Sequence, residues 1–155
     1  NHPDSIIKEL PAERVLGQTV VLGEPPFDTS EIGPLFGSVA DRLAEAGIRH
    51  AAGIGIFSDA GHGTEVTCGY RTETAQDLAD LQVTELEACT AATLIHEGSM
   101  SRIGASWQHL SKWCISQGYS LTGPCREGYL DTDDDTADNS DQAGWIVELQ
   151  QPIIA

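Results

Sequence analysis

The sequence has 155 residues, of which 40% are hydrophobic, so it is long enough for one domain with a sizeable core. Its 24 acidic and 8 basic residues give a formal net charge of −16 at pH 7. A surface this acidic repels phosphate backbones and attracts cations, so we expect no nucleic-acid binding by this chain alone.

The spacing of the cysteines and histidines and the hydropathy of the chain argue against metal sites, redox centres and membrane spans. Cys68, Cys89, Cys114 and Cys125 form no C-x-x-C pair, which argues against a zinc ribbon or a redox centre and favours buried, reduced thiols. The 5 histidines include no H-x-x-x-H pair on a predicted helix, so we predict no metal and no other cofactor. No apolar run reaches the about 20 residues of a membrane span. We therefore expect a cytoplasmic protein without a membrane partner.

The first half of the chain has the pattern of a strand, a helix and two further strands. These elements are predicted over residues 14–22, 31–46, 53–57 and 66–72. The first strand ends before Pro25-Pro26, because two prolines cannot continue a ladder of hydrogen bonds. Gly47 is typical of a helix end, and residues 59–63 predict a hairpin-like loop between the last two strands.

The second half repeats this order after a polar link over residues 73–80. Its elements are predicted as a strand over 86–97, a helix over 101–117 and strands over 126–131 and 144–150. Gly98 breaks the first of these strands, and Ser99 or Ser101 is suited to cap the helix. Apolar residues recur in the helix in steps of four, three and four, which indicates a helix lying on a sheet.

An internal duplication explains this repetition. Four pairs of matching residues are separated by 71 positions (104 − 33), namely Ile32/Ile103, Gly33/Gly104, Phe36/Trp107 and Gly47/Gly118. We therefore predict one domain over 1–155 with an internal repeat of about 10–72 and 86–151. The predicted fold is α+β: tandem pseudo-twofold β-α-β-β units that form one mainly antiparallel sheet, with two helices on one face and a central cleft.

Several short motifs follow one another along nearly the whole chain. They are LPAERV from residue 10, HEGSMSRIG from residue 96, Trp107, Leu110, Trp113, Gly118, Gly123-Pro124, Glu127-x-Tyr129 and Val147-Glu148-Leu149. Their order and spacing resemble the GyrI-like family. Its members stand alone or form the C-terminal, effector-binding part of MerR-type and AraC-type transcriptional regulators.

The resemblance implies a multidrug or small-molecule receptor with an aromatic cleft and a glutamate on the last strand, which by position is Glu148. Met100 stands where the family usually has an aromatic residue in the turn before the second helix. In the first half, Thr67 pairs with Glu148 at a separation of 81 (148 − 67), so only one unit has the acid. The resemblance also implies a DNA-binding domain N-terminal to this chain in the regulators.

The residues themselves point to the same glutamate. Glu148 is a lone carboxylate in the apolar stretch 145–149, and a charge at such a position costs free energy unless it is paired. Alternation places Glu148 on one face of the strand, and an exposed edge-strand glutamate is the alternative. Further ligand-contact candidates, each of which also fits a core position, are the aromatic residues Trp107, Tyr129, Phe57 and Phe36.

The acidic segment from Asp131 to Asp141 begins like a calcium loop. Position six is Thr136 rather than Gly, however, and position twelve is Gln142 rather than Glu. We therefore predict a solvated acidic loop that does not bind calcium.

Three functions fit these observations. The first is a non-catalytic receptor for a lipophilic, cationic compound, which signals to an attached DNA-binding domain. The second is a hydrolase of electrophilic natural products, as the resemblance also implies, for which an acid or base must face a bound water. The third is a stand-alone protein that sequesters drugs or inhibits another protein. The oligomeric state is left open by the sequence.

Overall fold

The computed structural model of the protein describes residues 5–22, 32–59, 63–73, 78–131 and 144–154. In chain order its helices and strands are β1 Ile6–Leu10, β2 Glu13–Leu22, α1 Ile32–Glu45, β3 Gly53–Asp59, β4 Thr64–Arg71, β5 Gln82–Leu86, β6 Cys89–Glu97, α2 Ile103–Ser116, β7 Ser120–Leu121, β8 Cys125–Asp131 and β9 Ile146–Ile154. They divide into two compact units. The N-terminal unit spans Pro11–Ala88, and the C-terminal unit combines Cys89–Ala155 with the stretch that ends at Leu10.

The N-terminal unit is an antiparallel sheet covered by one helix. Its strands lie in the order β3, β4, β2, β5. Val39 and Leu43 are the buried residues of α1, four positions apart on one helical face, and they pack against Leu16 of β2. The helix thus buries two apolar residues that lie one turn apart.

The C-terminal unit has the same plan. Its strands lie in the order β1, β6, β9, β8, and the short β7 pairs with the end of β9. Leu110 and Cys114 are the buried residues of α2. They form one core with strand residues Ala92, Leu94, Val147, Leu149 and Ile153. The predicted α+β fold of tandem β-α-β-β units is therefore confirmed.

Each β-α-β-β repeat is preceded by one further strand, β1 or β5, which we count as its first strand, and the two repeats exchange these strands. β1 precedes β2 in the chain but pairs with β6, whereas β5 precedes β6 but pairs with β2. The chain passes from one unit to the other between Leu10 and Pro11 and again after Ala88. These points lie at the matching segments Leu10-Pro11-Ala12 and Leu86-Glu87-Ala88, 76 positions apart (86 − 10). Each sheet therefore includes one strand from the other repeat.

The predicted strand over 86–97 is wrong in its extent. Two strands occupy this region, β5 and β6, and Glu87-Ala88 separates them because β5 pairs with β2 while β6 pairs with β1 and β9. The last strand also runs on to Ile154 instead of ending at Gln150, since β7 pairs with Ile153 and Ile154. The loop over 59–63 lies largely outside the described residues.

Two facing glycines let β2 and β4 approach closely. Gly17 and Gly69 are Cα partners. A Cβ on Gly17 would lie 2.4 Å from the carbonyl oxygen of Cys68, and a Cβ on Gly69 would lie 2.4 Å from that of Leu16. Neither position has room for a side chain unless the backbone moves.

Candidate functional site

Strands β8 and β9 carry two buried glutamates on opposite faces of the sheet. Glu127 of β8 is the Cα partner of Leu149, whereas Glu148 of β9 is the partner of Gly128. Directly paired residues point to the same face, and successive residues point to opposite faces. Leu149 lies in the core beneath α2. Glu127 therefore faces α2, and Glu148 faces away from it.

Glu127 is held by two aromatic side chains. The Trp107 indole N–H donates to Oε2 at 2.7 Å, and the Tyr129 hydroxyl donates to Oε1 at 2.8 Å. Glu127 itself is only 6% exposed, whereas Trp107 and Tyr129 are half-buried. Each carboxylate oxygen thus accepts one hydrogen bond from a ring that solvent still reaches.

Burial raises the pKa of the Glu127 carboxyl, because the low-dielectric surroundings disfavour its charged form. The hydrogen bonds from Trp107 and Tyr129 and the electrostatic interaction with His96 lower that pKa, but they do not outweigh the burial. A positive charge close to Glu127 would therefore stabilise the ionised form of its carboxyl.

His96 orders the turn that leads into α2. This histidine is 4% exposed, and its Nε2 lies 2.9 Å from the carbonyl oxygen of Ser99. A carbonyl only accepts, so Nε2 carries a proton. Its Nδ1 lies 2.7 Å from the hydroxyl of Ser106, while the Ser99 side chain accepts from the backbone N–H of Ser101. Ser99 thus caps a short 3₁₀ turn, Met100–Arg102, that precedes α2. The prediction that Ser99 or Ser101 caps the α-helix itself is wrong, because the N-cap of α2 is Arg102, which makes no side-chain cap hydrogen bond.

The structure separates Glu148 from the aromatic candidates with which the sequence grouped it. Glu148 is 9% exposed and accepts hydrogen bonds from Lys8 Nζ at 2.6 Å and from Gln150 Nε2 at 2.8 Å. The expected need for a partner is therefore met by a lysine. Trp107 and Tyr129 lie on the α2 face of the sheet, and Glu148 lies on the opposite face.

The other candidates are divided between the units. Met100 packs against the core beneath α2 in the C-terminal unit. Phe36 and Phe57 are half-buried in the N-terminal unit, where they pack against a cluster that includes Val66. When the two repeats are aligned at a separation of 72 positions (129 − 57), β8 corresponds to β3. In this alignment Tyr129 corresponds to Phe57, and Glu127 corresponds to Gly55. The N-terminal unit thus has the aromatic position without the acid.

Sequence reasoning did not select Glu127 as a site residue. The signal was the pair Glu127-x-Tyr129, whose alternation places both side chains on one face of β8. The sequence does not indicate that this face is the one covered by α2, which carries Trp107. In the pairing of β8 with β9, the same alternation places Glu148 on the face opposite to that of Glu127 and Tyr129.

Within the described ranges, no group of three or more His, Cys, Asp or Glu side chains is placed to hold a metal ion. The acidic segment after Asp131 lies outside those ranges. All four cysteines are free thiols, of which Cys68 and Cys114 are buried and Cys89 and Cys125 are half-buried. In the part of the chain that the structure describes, no helix is long and apolar enough to cross a membrane.

Solved structures of other proteins share this fold. The C-terminal domain of EcmrR is 22% identical with a TM-score of 0.78, and the match covers 98% of both chains. In a complex of EcmrR with DNA the match is 21% identical, with a TM-score of 0.78, over 97% of this chain and 57% of that one. The chain thus spans little more than half of the EcmrR chain.

Two more distant structures complete the comparison. SAV2435, solved with tetraphenylphosphonium bound, is 12% identical with a TM-score of 0.71 over 98% of this chain and 94% of that one. A hydrolase from Listeria innocua is 12% identical with a TM-score of 0.64 over 99% of this chain and 93% of that one. At these identities the likeness is one of fold.

No curated protein matches this sequence. The profile of the GyrI-like small molecule binding domain, in contrast, matches residues 3–150, which is nearly the whole chain. The expected resemblance is therefore confirmed, and the protein belongs to the GyrI-like small molecule binding domain family.

Proposed function

We propose that this small-molecule binding domain is a receptor for lipophilic cations and that Glu127, Trp107 and Tyr129 form its binding site. The observation that carries the proposal is a buried carboxyl tied to two half-buried aromatic rings. Each part of this arrangement favours a flat or aromatic guest that bears a positive charge.

The charge of the guest follows from the burial of Glu127. A buried carboxylate loses hydration, so its ionised form is disfavoured until an opposite charge replaces the lost solvation. A bound cation supplies that charge, and the net charge of −16 attracts cations to the surface. The rings of Trp107 and Tyr129 add apolar area and cation–π attraction.

The comparisons support this choice of guest. SAV2435 was solved with tetraphenylphosphonium, which is a lipophilic cation with four aromatic rings. EcmrR was solved in complex with DNA, and its chain is longer than this one. We therefore propose that this domain acts in the cytoplasm as the effector-binding part of a multidrug-responsive regulator, with a DNA-binding domain outside this chain.

A pair of probes with the same shape and opposite charge tests the proposal. Tetraphenylphosphonium and tetraphenylborate are both tetrahedral arrangements of four phenyl rings, so the difference in their affinities reports the charge preference. We expect Glu127→Gln to weaken tetraphenylphosphonium binding by roughly 10- to 100-fold, the range for a charge-assisted contact, and not to weaken tetraphenylborate binding. Calorimetric titration measures both.

Glu148→Gln is the matched control, because it removes the same charge from the other face of the sheet. We expect this variant to bind tetraphenylphosphonium as tightly as the natural protein does. Loss of binding in Glu148→Gln but not in Glu127→Gln would contradict our assignment. Trp107→Ala should weaken both probes, because the ring area does not depend on the charge of the guest.

A hydrolase is the second candidate, and the raised pKa of Glu127 favours it. A carboxyl that keeps its proton can donate it to the leaving atom of a strained ring while water attacks the ring carbon and breaks its bond to that atom, and the carboxylate then takes up the proton that the added water releases. Mass spectrometry of epoxide and aziridine probes incubated with the protein would detect ring-opened product. Turnover that disappears in Glu127→Gln would favour the hydrolase, whereas saturable binding without turnover would favour the receptor.

A further inference from the structure

The face of the C-terminal unit that points away from α2 contains a buried polar cluster. Gln150 is the Cα partner of both Thr93 and Arg126, so these three side chains form one row across β6, β9 and β8. Glu148 lies two residues before Gln150 on the same face, with Lys8 bonded to it. Arg126 and Gln150 are each 3% exposed, which is unusual for polar side chains.

Arg126 is unsatisfied in this cluster. Within the described part of the chain, its Nε and Nη1 are buried and have no hydrogen-bond partner, and the same is true of Oε1 of Gln150. Among the described residues, the ion pair in this cluster joins Lys8 to Glu148 and leaves the guanidinium without a carboxylate. A buried charge without a partner is strongly unfavourable, and so is each buried donor that makes no hydrogen bond.

We propose that Arg126 and Gln150 form a second ligand site, which takes a small hydroxycarboxylate. The carboxylate balances the charge of the guanidinium and accepts a hydrogen bond from one of its free N–H groups, Nε–H or Nη1–H. A hydroxyl on the neighbouring carbon donates to the free Oε1 of Gln150. Glycolate and lactate are the simplest molecules with both groups.

The charges of the cluster select a monoanion. Lys8 neutralises Glu148, so the positive charge of Arg126 remains and one negative charge balances it. A doubly charged phosphate would bring a second negative charge close to Glu148 in a poorly solvated place. Because Arg126 is only 3% exposed, we take the ligand to be no larger than a few atoms.

This site differs from the cation site in both position and chemistry. Arg126 and Glu127 are consecutive on β8, so their side chains lie on opposite faces of the sheet. The second site presents the Arg126 guanidinium, which has no carboxylate partner among the described residues, whereas the cation site presents the buried carboxyl of Glu127. The second site therefore does not depend on the proposed receptor function.

The first experiment uses the natural protein and three sodium salts at equal ionic strength: glycolate, acetate and chloride. We expect the Nε–H resonance of Arg126 to shift saturably with glycolate and with acetate but not with chloride. Glycolate should bind roughly twofold to tenfold more tightly, the range for one additional neutral hydrogen bond. An Nε–H signal that responds equally to all three salts would overturn the proposal.

The second experiment compares Arg126→Gln with Arg102→Gln, which removes the same charge from an exposed position. We expect Arg126→Gln to lose the rise in melting temperature that glycolate causes, and Arg102→Gln to keep it. Without carboxylate, Arg126→Gln should melt no lower than the natural protein, because it removes an unpaired buried charge. A lower melting temperature or a failure to fold would show that Arg126 is structurally paired and would overturn the proposal.

Discussion

Replacing Gly17 by alanine tests the close approach of β2 and β4. The new Cβ would lie 2.4 Å from the Cys68 carbonyl oxygen, whereas ordinary van der Waals contact begins at 3.4 Å. The strands must therefore separate by about 1 Å, which strains the ladder hydrogen bonds around the Gly17–Gly69 pair. With about 1 kcal/mol for each weakened hydrogen bond and 1–3 kcal/mol for overpacking, we expect a loss of roughly 2–4 kcal/mol in the free energy of unfolding.

Gly37→Ala is the matched control for that variant. Gly37 lies in α1 and is exposed, and outside its own stretch of helix no described residue has an atom within 4 Å of an added Cβ. Both substitutions restrict the unfolded chain equally, but alanine is the better helix former by up to about 1 kcal/mol. Urea denaturation should therefore show destabilisation for Gly17→Ala and a gain for Gly37→Ala. A Gly17→Ala protein as stable as the natural one would refute the argument from backbone contact.

The remaining predictions concern charge. Because folded Glu127 keeps its proton to a higher pH than the unfolded chain does, the free energy of unfolding should fall as the pH rises from the ordinary glutamate pKa through the raised pKa. Urea denaturation at several pH values should show this fall in the natural protein and not in Glu127→Gln. Tetraphenylphosphonium should bind more tightly as the pH rises through the same window and should release a proton, which calorimetry in two buffers of different ionisation enthalpy measures. Lys8→Met should destabilise the protein by about 1 kcal/mol, since Glu148 loses its partner but Lys8 is partly solvated, and a double-mutant cycle with Glu148→Gln isolates this coupling.

The two helices and most strands were predictable because their signals are local. Val39 and Leu43 in α1, like Leu110 and Cys114 in α2, repeat at helical spacing, and a glycine follows each helix. The pairing partners of β1 and β5 were not predictable in this way. Period-two alternation identifies a strand but carries no information about which distant strand will accept its hydrogen bonds.

The site was predictable in its residue types but not in its geometry. Trp107 and Tyr129 were candidates from the sequence, and the structure joins them through Glu127. The sequence grouped Glu148 with that pair, whereas the structure places it on the opposite face. Strand alternation divides residues into two faces without telling which face a helix covers. The contact between α2 and β9 decides this question, and that contact is a property of the folded chain.

The exchange of β1 and β5 makes each repeat incomplete by itself. A polypeptide with only residues 6–73 would carry β1 without β6 to receive it and would leave β2 without β5. A single repeat can fill both positions only by trading its first strand with a second copy, which is the geometry of a domain-swapped dimer. Fusing two repeats in one chain replaces that association with an intramolecular one, so the completed sheets no longer depend on protein concentration.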